Sequence, residues 1–393
     1  MVPDHPLRLI ILLAAIVAIT PFAVDTYLPA MPIIAQDLET HIGTVQQSLS
    51  IFLAGYAVGM LLFGPLADKF SRRLLVLGGI AGFAVASFCL AYATNIESFL
   101  LGRALQAFFG AAATVVIPGI IRHFYQEHTA KGMSYLSLIM MLAPLLAPSI
   151  GSLILLVSVW QTIFLVIACY AVIMIFFAWK YLPDIKIIEP NKKITFFSSY
   201  KTVLSRVDAR PLIATVVFSS FSFFCYLTAA PFVYIKYFGV SEQLFGILFA
   251  VNISMLMLSS FINTRCVTRF GSAYMVRAAV ILGSILVLLL LLANILTLNI
   301  WFTVITLAPL MGCLTMISTN TDAMIVLKFP HQTGTATAVT LTLRYGIGAL
   351  AGPILAWSFN GTAVPFSFLM LSGIVGIIIC QLWMRTNIDE SCA

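Results

Sequence analysis

Charge is the scarcest feature of this chain. Of its 393 residues 9% are charged and 61% are hydrophobic, against roughly 25% charged in soluble domains. So few charges cannot cover a water-soluble globule, so most of the surface faces something other than water. Polar stretches are short everywhere except at 183–210, and no alternating strand pattern occurs, which excludes a membrane barrel and leaves helices as the spanning elements. The seven cysteines form no C-x-x-C pair and are odd in number, which argues against a disulfide framework and a metal site. They read as small apolar residues. All five histidines lie in loops or at the ends of apolar runs, and neither H-E-x-x-H nor G-x-S-x-G occurs, so nothing supports an enzyme. A phosphate-binding loop for ATP is missing as well, so the energy source is something other than nucleotide, and no cofactor is expected.

What is present is a succession of apolar runs, each long enough for a hydrocarbon core of ~30 Å. They lie near 7–29, 45–67, 74–94, 98–122, 131–156 and 159–182, then 211–236, 242–264, 274–294, 299–327, 333–359 and 362–384. The first has only Arg8 as a basic flank and no small-residue cleavage site, so it reads as an uncleaved helix. Eighteen of the 21 lysines and arginines fall on one side of this arrangement, Lys69, Arg72, Arg73, Arg265 and Arg269 among them. The bias places both termini and the long central loop in the cytoplasm. It also accounts for the net charge of +7, so nucleic acid is not an expected partner; the lipid bilayer is.

The expected architecture is all-α, with twelve transmembrane helices in two pseudo-symmetric six-helix bundles, 1–182 and 211–393, joined by a loop at 183–210. In that loop Phe196, Phe197, Tyr200, Val203, Leu204 and Val207 recur at helical spacing among lysines, as in a short helix lying on the inner leaflet or in an ordinary linker. The halves echo each other: "DKFSRR" (68–73) and "TRFGSA" (268–273) are offset by 200 residues. Repeated six-helix halves are an architecture of secondary transporters, whose substrate site lies near the midplane.

Charges inside the spans cost roughly 2.5–3.5 kcal/mol each on insertion scales, which singles out the few that occur. Asp25 lies about 18 residues, or ~27 Å, into the first span, in the stretch "PFAVDTYLPAMP" (21–32). Arg103 enters the fourth span from the opposite direction and reaches a similar depth, so the two are expected to pair, directly or through water, if their helices are neighbours. A carboxylate there has a tunable proton affinity, because loss of water and a nearby arginine act on it in opposite directions. Proton coupling and a structural salt bridge are the two readings. Arg344, mid-way along the eleventh span, needs a cavity or a partner such as Asn320 or a backbone carbonyl. Asp322, close to Lys328, reads as interfacial. Tyr27 follows Asp25, and on the aromatic-rich seventh span Phe218, Phe221 and Cys225 share a face suited to an apolar pocket or to core and lipid contact.

Three motifs point to a family. "GPLADKFSRR" (64–73) resembles the signature loop of the major facilitator superfamily, with Ser71 in place of its usual glycine; "GRALQAFFGAA" (102–112) resembles its fourth-helix motif; and "APLLAPSIGS" (143–152) resembles its fifth-helix antiporter motif, with Ala143, Ala147 and Ser152 for glycines. "DTYLPAMP" (25–32), "GCLTMISTN" (312–320) and "RYGIGAL" (344–350) are similar to the Bcr/CflA drug-resistance subfamily. The resemblance implies a bacterial inner-membrane exporter of small drugs or metabolites, driven by the proton gradient and working as a monomer. It implies proton coupling at Asp25 and Arg103; the polar and aromatic residues themselves suggest substrate contacts at Tyr27, Phe218, Phe221, Asn320 and Arg344. Conformational gating falls to Asp68, Arg72, Arg73, Pro144, Pro148 and Gly151. Antiport of drugs of the bicyclomycin, chloramphenicol or sulfonamide type is the leading expectation; export of an endogenous metabolite such as a siderophore or amino acid is the alternative.

Overall fold

Pro6 opens the first helix, where a missing N–H costs nothing, and the apolar run behind it carries the helix to Asp25. There it stops. Pro29 has no N–H to offer the carbonyl of Asp25 and disfavours helical geometry at Leu28. Thr26 and Tyr27 form a turn, Leu28–Ala30 a single 3-10 turn, and Met31–Asp37 a short helix. The apolar run expected at 7–29 is therefore broken within the membrane-spanning stretch.

This computed structural model describes residues 6–67, 70–125, 129–183, 201, 203–329, 333–358 and 360–392. Its long helices are α1 Pro6–Asp25, α2 Ile42–Ala67, α3 Arg72–Ala91, α4 Ile96–Tyr125, α5 Thr129–Val157 and α6 Gln161–Tyr181, then α7 Arg210–Pro231, α8 Glu242–Phe270, α9 Ser272–Ile295, α10 Ile300–Lys328, α11 Thr333–Gly348 and α12 Val364–Cys392. Among the described residues there is no strand. Eleven helical stretches there are long and apolar enough to cross a membrane, and α5 carries a shorter apolar stretch, Leu142–Val157. Two further interruptions went unread in the sequence. A π-helical turn, Phe232–Tyr237, follows Pro231 at the end of α7, and α11 breaks after Gly348 before resuming at Ala351–Ser358.

The chain forms two compact units, residues 1–193 with 241–250, and residues 194–240 with 251–393. In the first, α4 packs lengthwise against α2 and α3, α1 against α5, and α3 against α6. Gly55 and Gly59 make the α2–α4 contact possible, since a Cβ at either would run into the carbonyl of Ala104 or of Phe108. Tyr170 of α6 donates its hydroxyl to the Ala15 carbonyl of α1 at 2.7 Å. In the second unit α9 lies along α10, and both α10 and α12 pack on α7. Asn294 of α9 donates to Ser367 of α12 at 2.7 Å and accepts from Thr303 of α10 at 3.3 Å, so three helices share one satisfied polar knot.

At the second unit's lysine- and arginine-bearing end, Val203 and Ala209 are buried with Leu212, Ile325, Phe329 and Val339. Both fall in the stretch expected to be a linker, so its last residues are core of this unit, and Val203 faces protein where a leaflet contact was one expectation. Phe196, Phe197 and Tyr200 lie outside the described residues. Asp208 pairs with Lys328 at 2.9 Å and Arg206 at 3.0 Å, and Lys328 is thereby turned away from Asp322. These charges are half-exposed, so Lys328→Ala is expected to cost under about 1 kcal/mol; a drop of several degrees in the unfolding temperature of the purified protein would contradict that.

Candidate coupling and substrate site

The break after α1 leaves the carbonyls of its last turn without helical donors. One of them, on Ala23, is taken by Arg103 of α4, whose Nη1 donates to it at 3.0 Å. Arg103 is fully buried, and an arginine in such a place needs both hydrogen bonds and a polarisable surround. Its Nη1 also donates to Gln106, one turn further along α4, at 2.5 Å. Gln106 in turn donates to Ser87 of α3 at 2.8 Å, and Ser87 donates to the Phe83 carbonyl at 2.7 Å. The rings of Tyr27 and Phe52 lie 4.2 and 4.4 Å from the guanidinium carbon, and that of Phe164 lies 5.9 Å away. Nε and Nη2 have no partner. The guanidinium is thus held by one nitrogen and caged by aromatics from three sides, with two donors left over.

Asp25 is 4% exposed, two residues from the carbonyl that Arg103 grips, and its carboxylate forms no hydrogen bond or ion pair with any described residue. A direct Asp25–Arg103 pair, one of the two arrangements expected, is therefore not made: the arginine takes the backbone of α1 instead. Asp25 and the carbonyl that Arg103 grips lie at the same end of α1, and no contact joins the two side chains among the described residues. Thr26 is buried beside them with its hydroxyl unpartnered.

Gln106, Ser87, Phe52 and Phe164 were not singled out from the sequence. The R-x-x-Q spacing carried a signal for Gln106, since it puts the amide one helical turn from the arginine; the other three carried none. Replacing Gln106 with Leu removes a hydrogen bond to a charged group and is expected to cost about 1.5–3 kcal/mol. Ser87→Ala leaves the amide short of one acceptor and is expected to cost about 1 kcal/mol. Thermal unfolding of the purified variants checks the order; equal effects would detach Ser87 from the chain of bonds.

The remaining residues fall in different places. Tyr27 is fully buried, with its hydroxyl 2.9 Å from Ser48, so it forms a wall of the arginine cage and has no free face for a ligand. Gly151 of α5 lies against the break: a Cβ there would strike the Thr26 carbonyl and crowd the ring of Pro29. Pro144 and Pro148 lie within α5. Ser152 donates to the Pro148 carbonyl at 2.9 Å and to that of Glu242, the first residue of α8, at 2.8 Å. Arg72 donates to the Gly119 carbonyl of α4 at 2.6 Å, and Arg73 to that of Trp179 on α6, so the basic loop ties three helices together. Asp68 lies outside the described residues.

In the second unit the expected substrate face is only partly open. Phe218, 37% exposed, rests on Gly373 and Gly376 of α12, and Phe221 is 8% exposed. The aromatic of α7 that meets α11 is Phe224, against Gly348 and 5.8 Å from the ring of Tyr345. Asn320 is buried and donates to Asn263 of α8 at 2.6 Å, so it is not the partner of Arg344. That partner is Asp322, whose Oδ2 accepts from Arg344 Nη2 at 2.8 Å. Asp322, expected to be interfacial, thus pairs with Arg344 and not with Lys328.

A many-helix membrane protein in two units, with single charges buried among apolar helices, has the build of a carrier of small solutes. The chain belongs to the Major Facilitator Superfamily, whose family model matches residues 13–353, and it is a transporter rather than an enzyme. It is similar to a bicyclomycin resistance protein homolog of Haemophilus influenzae, at 32% identity over 382 residues and 96% of both chains. It is similar also to a chloramphenicol resistance protein of Pseudomonas aeruginosa, at 30% identity over 277 residues, covering 68% of this chain and 65% of that one. Among solved structures it is similar in fold to the nucleoside transporter NupG (D323A mutant), with a TM-score of 0.73 at 13% identity, covering 97% of this chain and 99% of the other.

Proposed function

We propose that the protein is a proton-coupled antiporter that exports small organic compounds across the bacterial inner membrane by alternating access, with both termini in the cytoplasm. The observation that carries the reading is a buried carboxylate without a partner among the described residues, Asp25, two residues from the Ala23 carbonyl that holds a buried arginine, Arg103, two of whose nitrogens are unpaired. A structural salt bridge would close that pair; a proton site needs it open, because the carboxylate must exchange a proton for a substrate contact. Arg103 sets the electrostatic balance, and the break in α1 supplies the joint at which the site changes. The resistance named for its relatives supports drugs of the bicyclomycin or chloramphenicol type as cargo, and drugs of the sulfonamide type are proposed beside them. Neither a cofactor nor a partner chain is required, and the protein acts as a monomer.

A second reading, export of an endogenous metabolite such as a siderophore or an amino acid, is favoured by the Arg344–Asp322 pair in the second unit. Both readings are tested in reconstituted vesicles with an imposed pH gradient and a pH dye inside. Bicyclomycin, chloramphenicol, a sulfonamide, cysteine and a citrate-type siderophore are added in turn. Proton flux triggered by one of the first three supports drug antiport; flux only with the last two transfers the function to metabolites. Substrate movement without any proton flux would remove the coupling.

A further inference from the structure

Arg344 lies 11 residues along α11, about 17 Å from the start of that helix, where an exposed charge in lipid is prohibitive. Its side chain is nevertheless 23% exposed, and that of Asp322 is 39% exposed. Partly exposed charges within spanning helices need water or polar groups beside them. The pair is open to solvent on one side, although Nε of Arg344 is itself buried.

The geometry of the pair is incomplete. An arginine offers its Nε–H and Nη2–H side by side, a fork that matches both oxygens of one carboxylate. Here Asp322 places a single oxygen on Nη2, at 2.8 Å, and Nε has no partner. Half of the fork is filled by a side chain, and the other half is buried and unpaired. Asn320, the nearest polar side chain on α10 by sequence, is committed to Asn263 at 2.6 Å and so does not complete it. Releasing Asp322 costs less than releasing a fully buried carboxylate would, because its side chain is 39% exposed.

We propose that Arg344 is a carboxylate-recognition site in the second unit, and that Asp322 is an internal competitor holding the site when no cargo is present. A ligand carboxylate that takes both Nε and Nη2 makes one more charge-assisted hydrogen bond than Asp322 does and returns Asp322 to water. The preferred cargo, within the reading of the chain as an exporter of small organic compounds on which this rests, then carries a carboxylate.

A matched pair of probes tests this on the purified full-length protein: chloramphenicol, and its hemisuccinate ester, which adds a carboxylate to the same scaffold. The readout is the ratio of the two affinities. Asp322→Asn removes the competitor, and the ratio is expected to rise about tenfold in favour of the hemisuccinate, the size of one added charge-assisted bond. Arg344→Lys keeps the charge but loses the fork, and the ratio is expected to fall below that of the wild type. A purely structural salt bridge predicts the opposite for Asp322→Asn, namely weaker binding of the acid or no change, and either result overturns the proposal, as does absence of saturable hemisuccinate binding to that variant. Should Arg344→Lys fail to fold, the Asp322→Asn ratio decides alone. Chloramphenicol binding without acid preference leaves the drug-export reading standing and removes this one; acid binding without chloramphenicol binding does the reverse.

Discussion

Asp25→Asn is expected to reduce gradient-driven export to the level of empty vesicles while the protein still exchanges labelled for unlabelled substrate. Asparagine has the size of aspartate and keeps a polar group beside the break in α1, so the packing around a 4%-exposed side chain is preserved. What it lacks is a proton to take up and release. Since Asp25 has no hydrogen-bond or ionic partner among the described residues, the substitution leaves no orphaned group behind, and the structural cost is expected to be small. The expected separation is therefore sharp: coupling lost, exchange kept. Uphill export persisting in the variant would move the proton site elsewhere, with Asp322 and Asp68 the next carboxylates to test.

Gly151→Val is expected to have the largest structural effect of any single change at the site. Even one methyl group at this position would overlap the Thr26 carbonyl, which is backbone and cannot swing aside. The helix α5 would have to retreat from α1 at the break that sets Asp25 and the Ala23 carbonyl in place. Overpacking a tight contact typically costs about 1–3 kcal/mol, and a branched side chain against backbone lies at the upper end. Transport and thermal stability should both collapse. Gly346→Ala provides the comparison, since a Cβ there meets nothing within 4 Å, and removing a helical glycine is worth about 0.5–1 kcal/mol of added stability. Gly151→Val protein as stable and active as Gly346→Ala protein would show that α5 does not brace the break.

The twelve helices were legible because each apolar run is long enough to span and is bounded by polar or basic residues, which leaves little room for another assignment. Prolines were more ambiguous. The first run was expected to reach residue 29, whereas Pro29 ends α1 at Asp25; Pro231 sits in an equally apolar stretch, and its π-helical turn had no distinguishing signal. Arg103 and Asp25 stood out because charges are costly at that depth, but the partner of Arg103 is a main-chain carbonyl 80 residues away, and a carbonyl has no sequence signature. The cage of Tyr27, Phe52 and Phe164 was hidden among 30 phenylalanines that mostly serve packing. In the second half, Asp322 and Lys328 lie near each other in sequence, whereas α10 turns the two side chains to different partners, Arg344 and Asp208. Helical phase also sets Phe224 against α11 and Phe218 against α12, a distinction that needs the neighbours of α7 to be known.

Proton release on substrate binding tests the central claim most directly. The purified wild-type protein, in weakly buffered solution below neutral pH, is mixed with saturating substrate, and released protons are counted with an indicator dye. If cargo and proton compete at the site of Asp25, the wild type releases protons in proportion to bound substrate and the Asp25→Asn protein, binding the same substrate, releases none. Equal proton release from both proteins would contradict the account.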